Sequence, residues 1–269
     1  MIENNNVPCF DIRLNEEDMN FLWDAISKEN KMDFRSSLAG NISKSEELED
    51  KDNWFYESIL KKHTERMFYR DWDNYYKYCI EKEEPPPRFE MDKFWVNYQK
   101  QHEFNPCHDH NCLFTFVIFM QIPTHWKDQH ALPFCASANP PLASNFAFLV
   151  PGAGKDRLTS PRTKKQSYGE FINVPLSPED EGRMLFFPGW LQHMVYPFYN
   201  CDKERITISG NINFWIEKQG RVPKIREGIP QNLREEQIKD VIKNMEIQIV
   251  EFKKQLGKKW MEKAGGKEE

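Results

Sequence analysis

Seven histidines occur in 269 residues, and two stand one residue apart in the run CHDHNC at 107–112. Side chains on a strand alternate with a period of two, so a strand here would put His108 and His110 on one face and turn Asp109 away. A third histidine, His193, follows an apolar run and a Pro-Gly break in LFFPGWLQHMV at 185–195. Two ligands from one strand and a third from a distant one suit a facial site with three coordination positions open. His108, His110 and His193 are therefore the candidate metal ligands. The competing readings are a chance surface pair and a zinc knuckle of Cys107, His108, His110 and Cys112. The knuckle lacks the second, separated cluster that structural zinc normally draws on.

Residues 205–214 read RITISGNINF. Arg205, Thr207, Ser209, Asn211 and Asn213 share one face, and Ile206, Ile208, Ile212 and Phe214 the other. A half-solvated strand has the same alternation. An arginine fork beside a hydroxyl is also good chemistry for a carboxylate, which makes Arg205 and Thr207 candidate anion ligands twelve and fourteen positions after His193.

These residues need elements to bring them together. The first ninety residues read as mostly helical and supporting. Asn15 is placed to cap a helix through Met19, Leu22, Trp23 and Ile26. A second helical stretch runs from about Trp54 to Glu81, with a possible break near Tyr69, and Pro85, Pro86 and Pro87 stop it. His63 lies in that stretch and reads as a packing or surface residue. The middle of the chain, 91–218, carries strand signals at Phe94–Lys100, Leu113–Ile122, Ser144–Val150, Arg183–Phe187 and Ile206–Trp215. No helix-length pattern separates them, so antiparallel pairing in a sandwich or jelly roll is expected. Two long connections, Pro123–Ala143 and Pro151–Gly169, are the lid candidates. The C-terminal part, 219–269, reads as an amphipathic helix and tail. Asn232 and Glu235 suit a capping box, and Ile238, Ile242, Met245, Ile249, Phe252 and Leu256 follow heptad-like steps. That seam fits either packing on the domain or a homodimer.

Composition narrows the classes further. Hydrophobic residues make up 39% and charged residues 29%, a globular balance rather than a disordered one. The net charge of −5 argues against whole-chain binding to nucleic acid or an anionic membrane. No apolar run reaches membrane-spanning length, and the polar N-terminus lacks signal-peptide regions. A cytoplasmic protein with its six cysteines as free thiols is expected.

The chain resembles the 2-oxoglutarate- and Fe(II)-dependent dioxygenases, and within them the branch found in marine bacteriophages, with prolyl-4-hydroxylase-like enzymes as more distant relatives. The likeness rests on WVNYQKQHEFNPCHDHNCLFTFVIFMQIP at 95–123, ANPPLASNFAF at 138–148, GRMLFFPGWLQHMVYPFYNCDKERITISGNI at 182–212 and LAGNI at 38–42, and covers about residues 38–216. It implies a double-stranded β-helix, a jelly roll of the cupin kind, flanked by helices. It implies Fe(II) and 2-oxoglutarate as cofactors, with oxidative decarboxylation coupled to hydroxylation by O2 of an unidentified substrate, a prolyl or other protein side chain among the options. By resemblance His108 and His193 take the two histidine ligand positions. Arg205 takes the position that grips the distal carboxylate of 2-oxoglutarate, with Thr207 beside it and Asn97 and Gln99 on the preceding strand lining the pocket. The chain departs from the family at His110, where most members carry Asp or Glu. Asp109 replaces that carboxylate only if the strand bulges.

Two other classes fit parts of the sequence. One is a three-histidine, cupin-like metalloprotein that does not use 2-oxoglutarate. The other is a non-catalytic virion or interaction module with incidental histidines.

Overall fold

The computed structural model describes residues 7–29, 31–70, 88–150 and 170–215. Ten strands form two antiparallel sheets. They are β1 (Phe10–Arg13), β2 (Lys44–Glu47), β3 (Arg88–Gln99), β4 (Asn105–His108), β5 (Phe114–Gln121), β6 (Phe146–Val150), β7 (Glu170–Val174), β8 (Arg183–Pro188), β9 (Gln192–Val195) and β10 (Arg205–Trp215). The larger sheet has the order β1-β8-β5-β10-β3-β2, and the smaller β4-β9-β6-β7. This is the expected β-rich jelly roll with flanking helices. The five strands read from the sequence correspond to β3, β5, β6, β8 and β10. The four-residue strands β4 and β9 carry too few residues to show a period.

The first ninety residues are not a purely helical layer, because β1 and β2 close the two edges of the larger sheet. Between them runs α1 (Glu16–Ser27), capped by a reciprocal pair in which Asn15 Oδ1 accepts from Asp18 N and Asp18 Oδ2 from Asn15 N. A second helical segment, α2, spans 54–70 and includes a π-helical turn at Tyr56–Leu60. Leu22, Phe55, Ile59, Leu60, Met67 and Phe68 bury against Phe94, Phe114, Phe116, Ile118, Ile208 and Ile212 on the outer face of the larger sheet. Each such side chain contributes about 1.5–3 kcal/mol of transfer free energy. His63 belongs to this layer. Its ring centroid lies 6.4 Å from those of Phe10 and Phe186, and burial pushes its pKa down to about 4.

A second core fills the space between the sheets, where Val117, Phe119, Phe146, Phe148, Leu185, Phe187 and Leu191 meet. Strand β5 serves both cores, with alternate residues facing helix and interior. Its continuous apolar run, FTFVIFM, is the signature of a strand covered on both faces.

Cys9, Cys107, Cys112, Cys135 and Cys201 are free thiols, and Cys79 lies outside the described residues. So do the rest of the second helical stretch beyond Arg70, the connection 151–169 and the C-terminal heptad seam. Among the described residues no helix is long and apolar enough to cross a membrane.

Candidate metal centre

The three histidines converge. One ring nitrogen from each of His108, His110 and His193 lies within 4.8 Å of those of the other two. His110 Nε2 and His193 Nε2 are 3.3 Å apart. Two strands of the smaller sheet supply two of the ligands, since β4 pairs with β9 so that His108 stands directly opposite His193. The third arrives differently from the sequence expectation. Strand β4 ends at His108, and His110 lies in the connection to β5. Its position comes from a backbone bond, His110 N donating to Gly189 O at 2.8 Å, rather than from the pleat. That bond needs the chain to pass close by. A Cβ on Gly189 would sit 2.3 Å from Cys112 O, a contact only glycine avoids.

Hydrogen bonds orient two of the rings. His108 Nδ1 lies 2.8 Å from Pro106 O and His193 Nδ1 lies 3.1 Å from Leu191 O. A carbonyl only accepts, so each Nδ1 carries the proton and each Nε2 keeps its lone pair for the centre. His193 is buried against Phe146 and Phe187, with ring centroids 5.6 and 5.0 Å away. Burial, then the neighbouring histidines, holds its pKa well below the ordinary value. Burial and His108 push His110 down to about 4. Both rings are therefore neutral near pH 7, the state in which imidazole binds a metal.

An octahedral ion with N–metal bonds of about 2.0–2.2 Å places adjacent ligand nitrogens about 3 Å apart. The 3.3 Å separation of His110 and His193 fits that edge, and imidazole suits Fe, Zn, Ni and Cu alike. Asp109 lines the same cavity, but the strand ends before it and its side chain is exposed.

The histidines open into a cavity of ≈ 280 Å3 between the sheets. The polar face of β10 forms one wall through Thr207, Ser209 and Asn211, beside Lys93, Trp95 and Asn97 of β3. That face, which the alternation alone leaves open to solvent, is thus interior, because the helical layer takes the isoleucine face of the same strand. Thr115, Val117, Phe119 and Phe187 complete the floor. Residues of the segment 34–39, namely Phe34, Ser37, Leu38 and Ala39, cover it, and no periodic signal in the sequence announces them. Of the two lid candidates, Pro123–Ala143 contributes no lining residue and the other is not described.

Thr207 and Asn97 line the cavity, with Asn97 Oδ1 accepting from Ser45 Oγ at 2.8 Å. Arg205 and Gln99 do not line it. They pair across β10 and β3, two register positions beyond Thr207 and Asn97. The Arg205 guanidinium is fully buried and turned toward protein acceptors. Nη2 donates to Ser144 O at 3.0 Å and to Ser144 Oγ, and Nη1 to Gln99 Oε1 at 3.3 Å. Its face lies 5.1 Å from the Phe198 ring centroid. Removed from water, the group bonds the nearest carbonyls instead of pointing into the cavity. Every one of these acceptors is neutral, and Nε has no hydrogen-bond partner among the described residues. Burial lowers its pKa to about 9, with no carboxylate among the described residues to oppose it. A buried cation without a counter-ion is costly and favours an arriving anion.

Comparison with known proteins gives one family match. Residues 93–211 match the family described as putative 2OG-Fe(II) oxygenase. No curated protein matches the chain. Among solved structures, a viral collagen prolyl hydroxylase from Paramecium bursaria Chlorella virus-1, in complex with 2-oxoglutarate, is 13% identical with a TM-score of 0.39. It covers 77% of this chain and 97% of its own. An oxidoreductase of the 2OG-Fe(II) oxygenase family from Burkholderia pseudomallei is 7% identical with a TM-score of 0.45, covering 79% and 88%. The non-haem α-ketoglutarate-dependent epimerase of nogalamycin biosynthesis is 12% identical with a TM-score of 0.42, covering 87% and 91%.

Proposed function

From the match of residues 93–211 to the putative 2OG-Fe(II) oxygenase family, we propose that the chain couples decarboxylation of 2-oxoglutarate to hydroxylation of a second substrate. The observation that supports this reading best is the convergence of three imidazole donors at the head of a cavity with a polar wall. In this reading His108, His110 and His193 hold the metal and leave three positions for co-substrate and O2. Fe(II) held by these residues would supply the activation of O2, with 2-oxoglutarate as the two-electron reductant that becomes succinate and CO2.

The chain's own residues bind, orient and exclude water. Arg205 neutralises the distal carboxylate of 2-oxoglutarate, exchanging the neutral oxygens of Ser144 and Gln99 for an anion. Thr207 and Asn97, about 7 Å along their strands, line the path from that carboxylate to the histidines. Phe146, Phe187 and Phe119 keep the metal side dry. Because three imidazoles would bind as neutral donors, a divalent ion held there would keep its full charge and attract a dianion more strongly.

The measurement is anaerobic loading with Fe(II), followed by 2-oxoglutarate and O2, with succinate as the readout. Succinate that requires Fe(II) and vanishes in His193→Ala is the expected result. Failure of the metal-loaded chain to bind 2-oxoglutarate overturns the reading. A second reading, a three-histidine metalloprotein that does without 2-oxoglutarate, is favoured by one observation, the engagement of Arg205 with Ser144 and Gln99 away from the cavity. The same binding experiment separates the two.

A further inference from the structure

Two residues of the β3–β10 wall of the cavity carry a donor and an acceptor that no described residue meets. Trp95 Nε1 and Asn211 Oδ1 are buried, and neither has a hydrogen-bond partner among the described residues. Both residues line the cavity of the histidine cluster. Trp95 stands opposite Ser209, and Asn211 opposite Lys93, on the same β3–β10 ladder. The two are therefore diagonal neighbours on one face, with backbones about 7–8 Å apart. Leaving a buried polar group unpaired is costly, and two such groups on one face of the wall are explained by a ligand that satisfies both.

The indole is fixed before any ligand arrives. Trp95 is 4% exposed, and Phe34 stacks on it with centroids 4.7 Å apart and an interplanar angle of 18°. Its N–H is a donor only, and the Asn211 oxygen is an acceptor only. The matching group carries one acceptor and one donor in a rigid plane. In an amide these atoms are about 2.3 Å apart. With a hydrogen bond of about 2.9 Å at each end, an amide joins a donor and an acceptor up to about 8 Å apart. A carboxylate matches worse, because one of its oxygens would face the Asn211 oxygen.

We propose that Trp95 and Asn211 form a substrate subsite that reads an amide group, its carbonyl accepting from Trp95 Nε1 and its N–H donating to Asn211 Oδ1. The site's role in turnover rests on the oxygenase reading above, since the Trp95 ring centroid lies 6.1 Å from that of His110. Arg205 lies six residues before Asn211 on β10, about 20 Å along an extended strand, so co-substrate and amide occupy opposite ends of the wall. Lys93, at the rim with its ammonium 5.4 Å from the Phe34 ring centroid, is the feature that would instead favour an anion.

Indole 15N–1H spectra of the metal-free full chain test this, with propanamide, propanoate and butanone as probes and the Trp95 signal assigned by triple resonance. Propanamide is expected to shift that signal saturably, with an affinity at least about tenfold above the other two, the worth of one hydrogen bond. Asn211→Ala is expected to remove most of that preference. Equal or tighter binding of propanoate, a Trp95 signal that propanamide leaves unmoved, or an unchanged preference in folded Asn211→Ala overturns the proposal. The comparison of three probes on the unaltered chain decides the matter even if the variant does not fold. Neither metal nor 2-oxoglutarate is present, so a negative result here is distinct from failure of the oxygenase reading, which 2-oxoglutarate binding decides.

Discussion

His110 Nε2 and His193 Nε2 lie 3.3 Å apart, although 83 residues separate them. Leu191 O holds the proton of His193 on Nδ1, so the lone pair of His193 faces His110. Two neutral imidazoles at this distance are complementary only if one donates to the other or both share a cation. At the head of a cavity and beside His108, a shared cation would account for all three rings.

His110→Ala is therefore expected to weaken Fe(II) binding by at least about 100-fold, more than loss of an outer-sphere partner costs. Anaerobic titration with Fe(II), or with Co(II) as a spectroscopic substitute, measures it. Unchanged affinity removes His110 from the ligand set. His110→Asp is expected to keep the metal, because it restores an anionic donor at the same position.

Arg205→Gln is expected to lower the affinity for 2-oxoglutarate by about 10–100-fold, the worth of hydrogen bonds to a charged group. Calorimetry with the metal-loaded, oxygen-free protein gives the number. The residue is fully buried and bonded to Ser144 and Gln99, so some loss of thermal stability is expected as well. Loss of stability with undiminished 2-oxoglutarate affinity assigns Arg205 a structural role only.

Gly189→Ala tests how His110 is placed. The added Cβ meets Cys112 O at 2.3 Å, a backbone atom that a rotamer change does not move. Relief requires the Gly189 segment to shift, and Gly189 O is the acceptor of His110 N. A loss of about 1–3 kcal/mol in stability is expected from such overpacking, together with weaker metal binding. Destabilisation with intact metal affinity shows that His110 reaches the centre without that bond.

His63 links stability to acid. Its pKa is about 4 in the fold against an ordinary value of 6.5. A depressed folded-state value means that the unfolded chain binds the proton more readily. The stabilisation is complete above about pH 6.5 and is lost as pH falls toward 4. The ring is only partly buried, so solvent screening reduces the effect to about 1–2 kcal/mol. Denaturant titrations of His63→Leu should show a flatter stability profile across that window. An unchanged slope, with the fold intact, assigns the acid sensitivity to other groups.

Much of this protein is legible from residue order alone. The continuous apolar run of β5, the alternation along β10 and the absence of intervening helices give an antiparallel β fold, since local periods report which side chains share a face. The CHDHNC spacing marks His108 and His110 as candidate ligands, and Asn15 with Asp18 marks the start of α1, because both signals lie within a few residues; His193, 83 residues from His110, joins them only in the fold. Tertiary structure decided the rest. A period of two states that β10 has a polar and an apolar face, but only packing of α1 and α2 against the isoleucines makes the polar face the cavity wall. His110 is brought in by a bond to Gly189, far away in the chain, and not by the pleat it was expected to follow. Arg205 turns toward Ser144 and Gln99 because burial leaves those oxygens as its nearest acceptors. Trp95, Asn211 and the covering segment 34–39 gain meaning only when strands distant in sequence lie side by side. Long-range pairing selects among the surfaces that local pattern allows, and here that selection set the cavity.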